Sequence, residues 1–93
     1  MGEALGLLET RGLAAMIQGA DAMAKAANVD VLGWRMIGGG LVTGMIRGDV
    51  AAVTAATEAG AAAAAAAGEL VCSYVIARPH ESLHAVLPAV GNE

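Results

Sequence analysis

The chain is expected to have an α+β fold, with elements in the order β-α-β-β-α-β, a four-stranded antiparallel sheet and a short C-terminal helix. Three observations predict it. Short apolar runs rich in β-branched residues have the length of strands. Two longer segments carry helical spacing or a high alanine content. Glycines punctuate the changes from one period to the next.

Ala4 to Thr10 is short and apolar and is broken by Gly12, so it reads as a first strand. From Leu13 the residues Leu13, Met16, Ile17, Ala20, Ala24 and Ala27 recur on one helix face, with Gln18, Asp21, Lys25 and Asn28 on the other. Asp21 and Lys25 stand four apart in the favourable acid-first order. Val29 to Met36 reads as a second strand with Asp30, Leu32, Trp34 and Met36 on one side, and Leu41 to Arg47 as a third. Gly38-Gly39-Gly40 makes the turn between them, because glycine takes positive φ and admits close backbone approach. Gly48-Asp49 ends the third strand, with Asp49 as N-cap of a second helix from Val50 to Ala67. Gly68 is expected as its left-handed cap. Leu70 to Ala77 is the fourth strand, and Pro79 starts a short helix from Glu81 to Leu87. This order is the split βαβ, ferredoxin-like arrangement.

Ninety-three residues are expected to make one domain, 1-93. The chain is 57% hydrophobic but 2% aromatic, with 13 glycines and no Phe, so Ala, Val, Leu, Ile and Met must build the interior. So short a chain has too little interior to hide them all, which points to apolar surface shared between subunits. A net charge of −4 and a pI near 4.9 argue against nucleic acid as a partner, since five scattered basic residues make no phosphate-tracking stripe. The stretch 59–68 is too short and too weakly apolar to span a bilayer, so no membrane role is expected. No basic n-region opens the sequence, and Cys72 alone forms no internal disulfide, which fits a cytoplasmic protein.

His80-Glu81-Ser82-Leu83-His84 matches H-E-x-x-H, in which two histidines bind zinc and the glutamate activates water. The sequence offers no third histidine and little wall for a cleft, so solvated helix histidines are the preferred reading and no metal or other cofactor is expected. Cys72 lies among apolar residues in a strand, where a small buried thiol is a commoner role than a nucleophile. The glycine turn has Thr43 where G-x-G-x-x-G requires glycine, and no helix follows it.

Taken together, residues 3–12 (EALGLLETRG), 20–29 (ADAMAKAANV), 37–43 (IGGGLVT), 47–50 (RGDV), 59–61 (AGA) and 76–80 (IARPH) resemble a known family. It is the hexamer-forming shell proteins of bacterial microcompartments, the single BMC-domain type. The resemblance implies a non-catalytic cyclic hexamer that tiles edge to edge into the facet of a cytoplasmic shell around enzymes. It implies pentameric and trimeric shell proteins as further partners. Lys25 and Asn28 would sit on the hexamer edge, reached by Arg78 of a neighbouring hexamer; the residues agree, since Lys25 is on the polar helix face and Arg78 precedes a proline that fixes its approach. Ile37, Gly38, Gly39 and Gly40 would line a central pore flanked by Met36, whose backbone N–H groups favour small polar or anionic metabolites.

Many relatives carry Lys where Met36 stands and often Ser where Gly39 stands. A charge near a six-fold axis acts six times over, so its loss flattens the pore potential. Ala77 in the 76–80 segment is similar to carboxysome shell proteins, whereas the amino-terminal half looks more like members from catabolic compartments, and the balance leans to a catabolic enzyme core. The alternatives are a carboxysome shell hexamer and, outside the family, a small-molecule-binding oligomeric module of ferredoxin-like fold.

Overall fold

A computed structural model of the chain describes residues 3–77. They form β1 (Glu3–Arg11), α1 (Leu13–Ala26), β2 (Asp30–Gly38), β3 (Leu41–Asp49), α2 (Val50–Ala67) and β4 (Glu69–Ala77), the predicted order. The expected helix from Glu81 to Leu87 lies outside the described residues. The sheet runs β2-β3-β1-β4 with every pairing antiparallel.

Alternation along the strands sorts the sheet into two faces. Ala4 and Leu8 of β1 and Val42 and Ile46 of β3 join both helices in the main core, with Met16, Met23, Val53 and Ala64. On the opposite face Leu5, Leu7 and Met45 form a smaller cluster flanked by Leu32 and Ile76. The helices touch through small residues. A methyl placed on Gly60 of α2 would sit 3.1 Å from the Gly19 carbonyl of α1, so the two backbones nearly meet there.

That close approach changes the expected face of α1. The buried stripe is Ala15, Met16, Gly19, Ala20 and Met23, whereas Ile17 is 45% exposed and Ala24 faces solvent. Helix axes come closest where side chains are smallest, so the stripe centres on Gly19 and turns Ile17 outward. In β2, a register shift between Val31 and Gly33 puts Asp30 opposite Arg47 and Trp34 opposite Gly44. Asp30 therefore lies on the other side of the sheet from Trp34 and Met36, and the four residues expected together are split by the bulge.

Asp49 caps α2 as expected, its Oδ1 accepting from the Ala52 N–H at 2.9 Å. Gly68 does not take the left-handed conformation: its φ is 178°, and it ends the helix by donating its N–H to Ala64 O at 2.9 Å. The apolar stretch is also longer than the alanine run alone. All of α2, 18 residues of mean hydropathy 1.4, is long and apolar enough to cross a membrane, but Val53, Ala56, Thr57, Gly60 and Ala64 are buried against the rest of the protein.

Candidate functional site

The β2–β3 hairpin carries its turn at the far end of the molecule from the α1–β2 corner. Gly38 still pairs with Leu41, so the turn proper is Gly39-Gly40. Their φ values of 64° and 81° match the type I′ turn, whose central residues sit near about +60° and +90°. This turn follows the twist of the strands it joins, and two glycines adopt it without strain. Ile37 is 50% exposed and Met36 62%, so the tip displays apolar side chains beside bare backbone. Met36, Gly38 and Gly40 line an open groove of about 230 Å³ whose other wall is Gly12 and Leu13 at the start of α1.

Two bonds tie the tip to β1. The Gly12 N–H donates to Gly40 O at 2.6 Å, extending the β1–β3 ladder past its last pair. Arg11 Nη1 donates to Gly39 O at 3.0 Å, while Arg11 Nε lies 3.2 Å from Glu69 Oε1 at the start of β4. Sequence reasoning passed over Arg11 and Glu69. Only the register, which places Arg11 between Leu41 and Glu69, brings them to the turn.

At the opposite end, Lys25 occupies the last turn of α1, where a cation suits the helix dipole. Its Nζ pairs with Asp21 Oδ2 at 3.0 Å, as the four-residue spacing predicts, in an exposed contact worth about 0.3–0.5 kcal/mol. Asn28, also exposed, follows in the connection to β2. Arg78, the third residue expected at this edge, lies outside the described residues. Eight strand steps from Asp30 to Gly38 separate this corner from the tip by roughly 26 Å.

Cys72 is half-buried on β4 opposite Glu9, and its Sγ–H donates to Glu9 Oε1 at 3.6 Å. Burial pushes the thiol pKa up, and the charge and hydrogen bond of Glu9 add to it. The protonated thiol that this favours is a poor nucleophile. His80, Glu81 and His84 lie outside the described residues, and among the described residues no group of three or more His, Cys, Asp or Glu is placed to hold a metal ion.

The BMC domain profile matches residues 4–79 of this chain. The chain belongs to the BMC-domain family. It is 62% identical over 86 residues to the bacterial microcompartment shell protein EutM of Salmonella typhimurium, covering 92% of this chain and 90% of that one. It is 57% identical to the shell protein PduA of Citrobacter freundii, covering 92% of each, and 50% identical to the carboxysome shell protein CsoS1 of Prochlorococcus marinus, covering 99% of this chain and 87% of the other. Among solved structures, a microcompartments protein from Desulfitobacterium hafniense superposes with a TM-score of 0.79 at 34% identity; the match covers 95% of this chain and spans half the length of that one. This BMC-domain chain is therefore a structural protein of a bacterial microcompartment shell, and its family assembles with other shell proteins. Relatives of this kind point to a structural rather than an enzymatic role.

Proposed function

We propose that residues 1–93 form one shell domain that assembles as a cyclic hexamer and tiles edge to edge, with a pore on the axis. The observation that carries this reading is the placement of the two candidate surfaces. The glycine tip and the Lys25–Asn28 corner stand at opposite ends of β2, roughly 26 Å apart, as the centre and rim of a ring require. Ile37, Gly38, Gly39 and Gly40 of each copy line the pore, with Met36 beside it. Lys25 and Asn28 meet Arg78 of a neighbouring hexamer across a two-fold axis, so each contact occurs twice at a junction.

The pore passes small polar or anionic metabolites, admitted by backbone N–H groups rather than by charged side chains. The tile carries no catalytic residues and needs no cofactor. It works in the cytoplasm beside pentameric and trimeric shell proteins, around an enzyme core. The amino-terminal segments lean to a catabolic core, and identity of 62% and 57% to the microcompartment shell proteins EutM and PduA, against 50% to the carboxysome shell protein CsoS1, weighs against a carboxysome.

Native mass spectrometry at moderate salt tests the ring, with electron microscopy of the same sample at low salt. The expected species is roughly 55 kDa, six copies of the 9.1 kDa chain, growing into hexagonal sheets. Lys25→Ala is expected to leave hexamers intact and to abolish sheets. A trimer or monomer without a lattice overturns both pore and edge, and sheets of normal order from Lys25→Ala overturn the edge alone.

A further inference from the structure

We infer that Arg11 is a positioning residue: it fixes which way the Gly39–Gly40 peptide faces at the hairpin tip, and so where the tip offers small anions a backbone N–H. The claim about the turn stands by itself; its consequence for anions rests on the pore reading. Arg11 follows the buried Thr10 in β1 and so projects from the sheet face that carries Leu5 and Leu7, away from the two helices. There its guanidinium is held on two sides, by Glu69 Oε1 at Nε and by Gly39 O at Nη1. A planar fork makes both contacts at once; an ammonium has no such geometry.

A trans peptide points its C=O and the following N–H in opposite directions. With Gly39 O drawn towards Arg11, the Gly40 N–H faces the helix side of the sheet. That is the side of the groove beside Gly12 and Leu13, which Gly40 lines and Gly39 does not. The Gly40 carbonyl is also engaged, by the Gly12 N–H. Both carbonyls of the turn are thus occupied by β1 and its extension, and the tip turns a donor towards the groove.

Glycine at both central positions does not select this arrangement. A type II′ turn, reached by flipping the central peptide, needs positive φ only at its first central residue, and two glycines accept either form. The flip exchanges donor and acceptor on each side of the tip. Arg11 supplies the bias that the turn sequence lacks, and a ring of copies repeats it around the axis.

The test compares wild type with Arg11→Met, Arg11→Lys and Glu69→Gln. Solution NMR of labelled, assembled protein reads the φ of Gly40 and the response of its amide to added inorganic phosphate. In wild type, φ is expected to be positive and the Gly40 amide to shift with phosphate. Loss of one charge-assisted hydrogen bond is expected to raise the flipped population about fivefold in Arg11→Met and Arg11→Lys, and less in Glu69→Gln. The phosphate response should weaken by a similar factor, including in Arg11→Lys, which keeps the charge. A Gly40 φ that stays positive to the same extent in both Arg11 variants overturns the inference. So does a phosphate response in Arg11→Lys equal to that of wild type. Native mass spectra of the same samples separate the two readings. A wild type that forms no hexamer removes the pore but leaves the turn result to decide for or against Arg11; hexamers whose turn ignores Arg11 remove this inference and leave the pore.

Discussion

At Gly6 an added methyl falls 2.8 Å from Ile46 Cγ1, 2.9 Å from Val53 Cγ1 and closer still to Thr57 Oγ1, whereas at Gly38 and Gly39 it meets nothing within 4 Å among the described residues. The first site lies between sheet and helix and has an extended backbone that any residue adopts; the second lies in the open at φ values of 97° and 64°. Glycine is needed in the interior for volume and at the tip for conformation. The difference separates what the fold requires from what the hairpin presents. Substitutions at the two sites should therefore fail in different ways.

The largest effect is expected at Gly6→Ala. The three groups it meets belong to Thr, Ile and Val, whose branched side chains are stiff at χ1 and cannot swing aside. Overpacking of this kind costs about 2–3 kcal/mol, read as a lower denaturant midpoint at fixed protein concentration. Gly44→Ala sharpens the point. Its methyl meets mainly the Met16 sulfur, at 2.7 Å, on a flexible chain, so the loss there should be smaller. Equal losses at Gly6 and Gly44 would show that volume alone, without the stiffness of neighbours, sets the cost.

Gly39→Ala should cost about 1 kcal/mol, because a Cβ in the left-handed region is strained even where space is free. The loss should be nearly absent in Gly39→Asn, since asparagine visits that region readily. Identical midpoints for the alanine and asparagine variants would place the glycine requirement in contacts rather than in φ.

The same contrast governs what could be read before the structure. The hairpin turn was legible because three glycines in a row announce positive φ, and the Asp21–Lys25 pair because helix spacing is local. The order of elements followed from the same local signals. The face of α1 was not legible: it depends on Gly19 meeting Gly60, a residue 41 positions on, and nothing within α1 marks Gly19 as the contact. The bulge at Leu32–Gly33 likewise shifts β2 by one residue and reverses half of its faces, a change that alternation alone does not reveal. Arg11 and Glu69 escaped for the third reason, that strand register brings them to a turn far away in sequence.

The smallest expected change has the opposite sign. Thr57 is 4% exposed, and among the described residues its Oγ1 has no hydrogen-bond partner although it lies against the space left by Gly6. A buried hydroxyl without a partner carries its desolvation cost uncompensated. Thr57→Val replaces it with a methyl of similar shape at little change in helix propensity, so the variant should gain about 0.5 kcal/mol. The gain stays small because the new methyl crowds the Gly6 backbone from the α2 side. Placed on Gly6→Ala, the same substitution should lose its benefit, since the two added methyls compete for one volume. A double variant whose midpoint equals the sum of the single effects would show that Gly6 and Thr57 do not share that space, and the interior half of the comparison would then rest on Ile46 and Val53 alone.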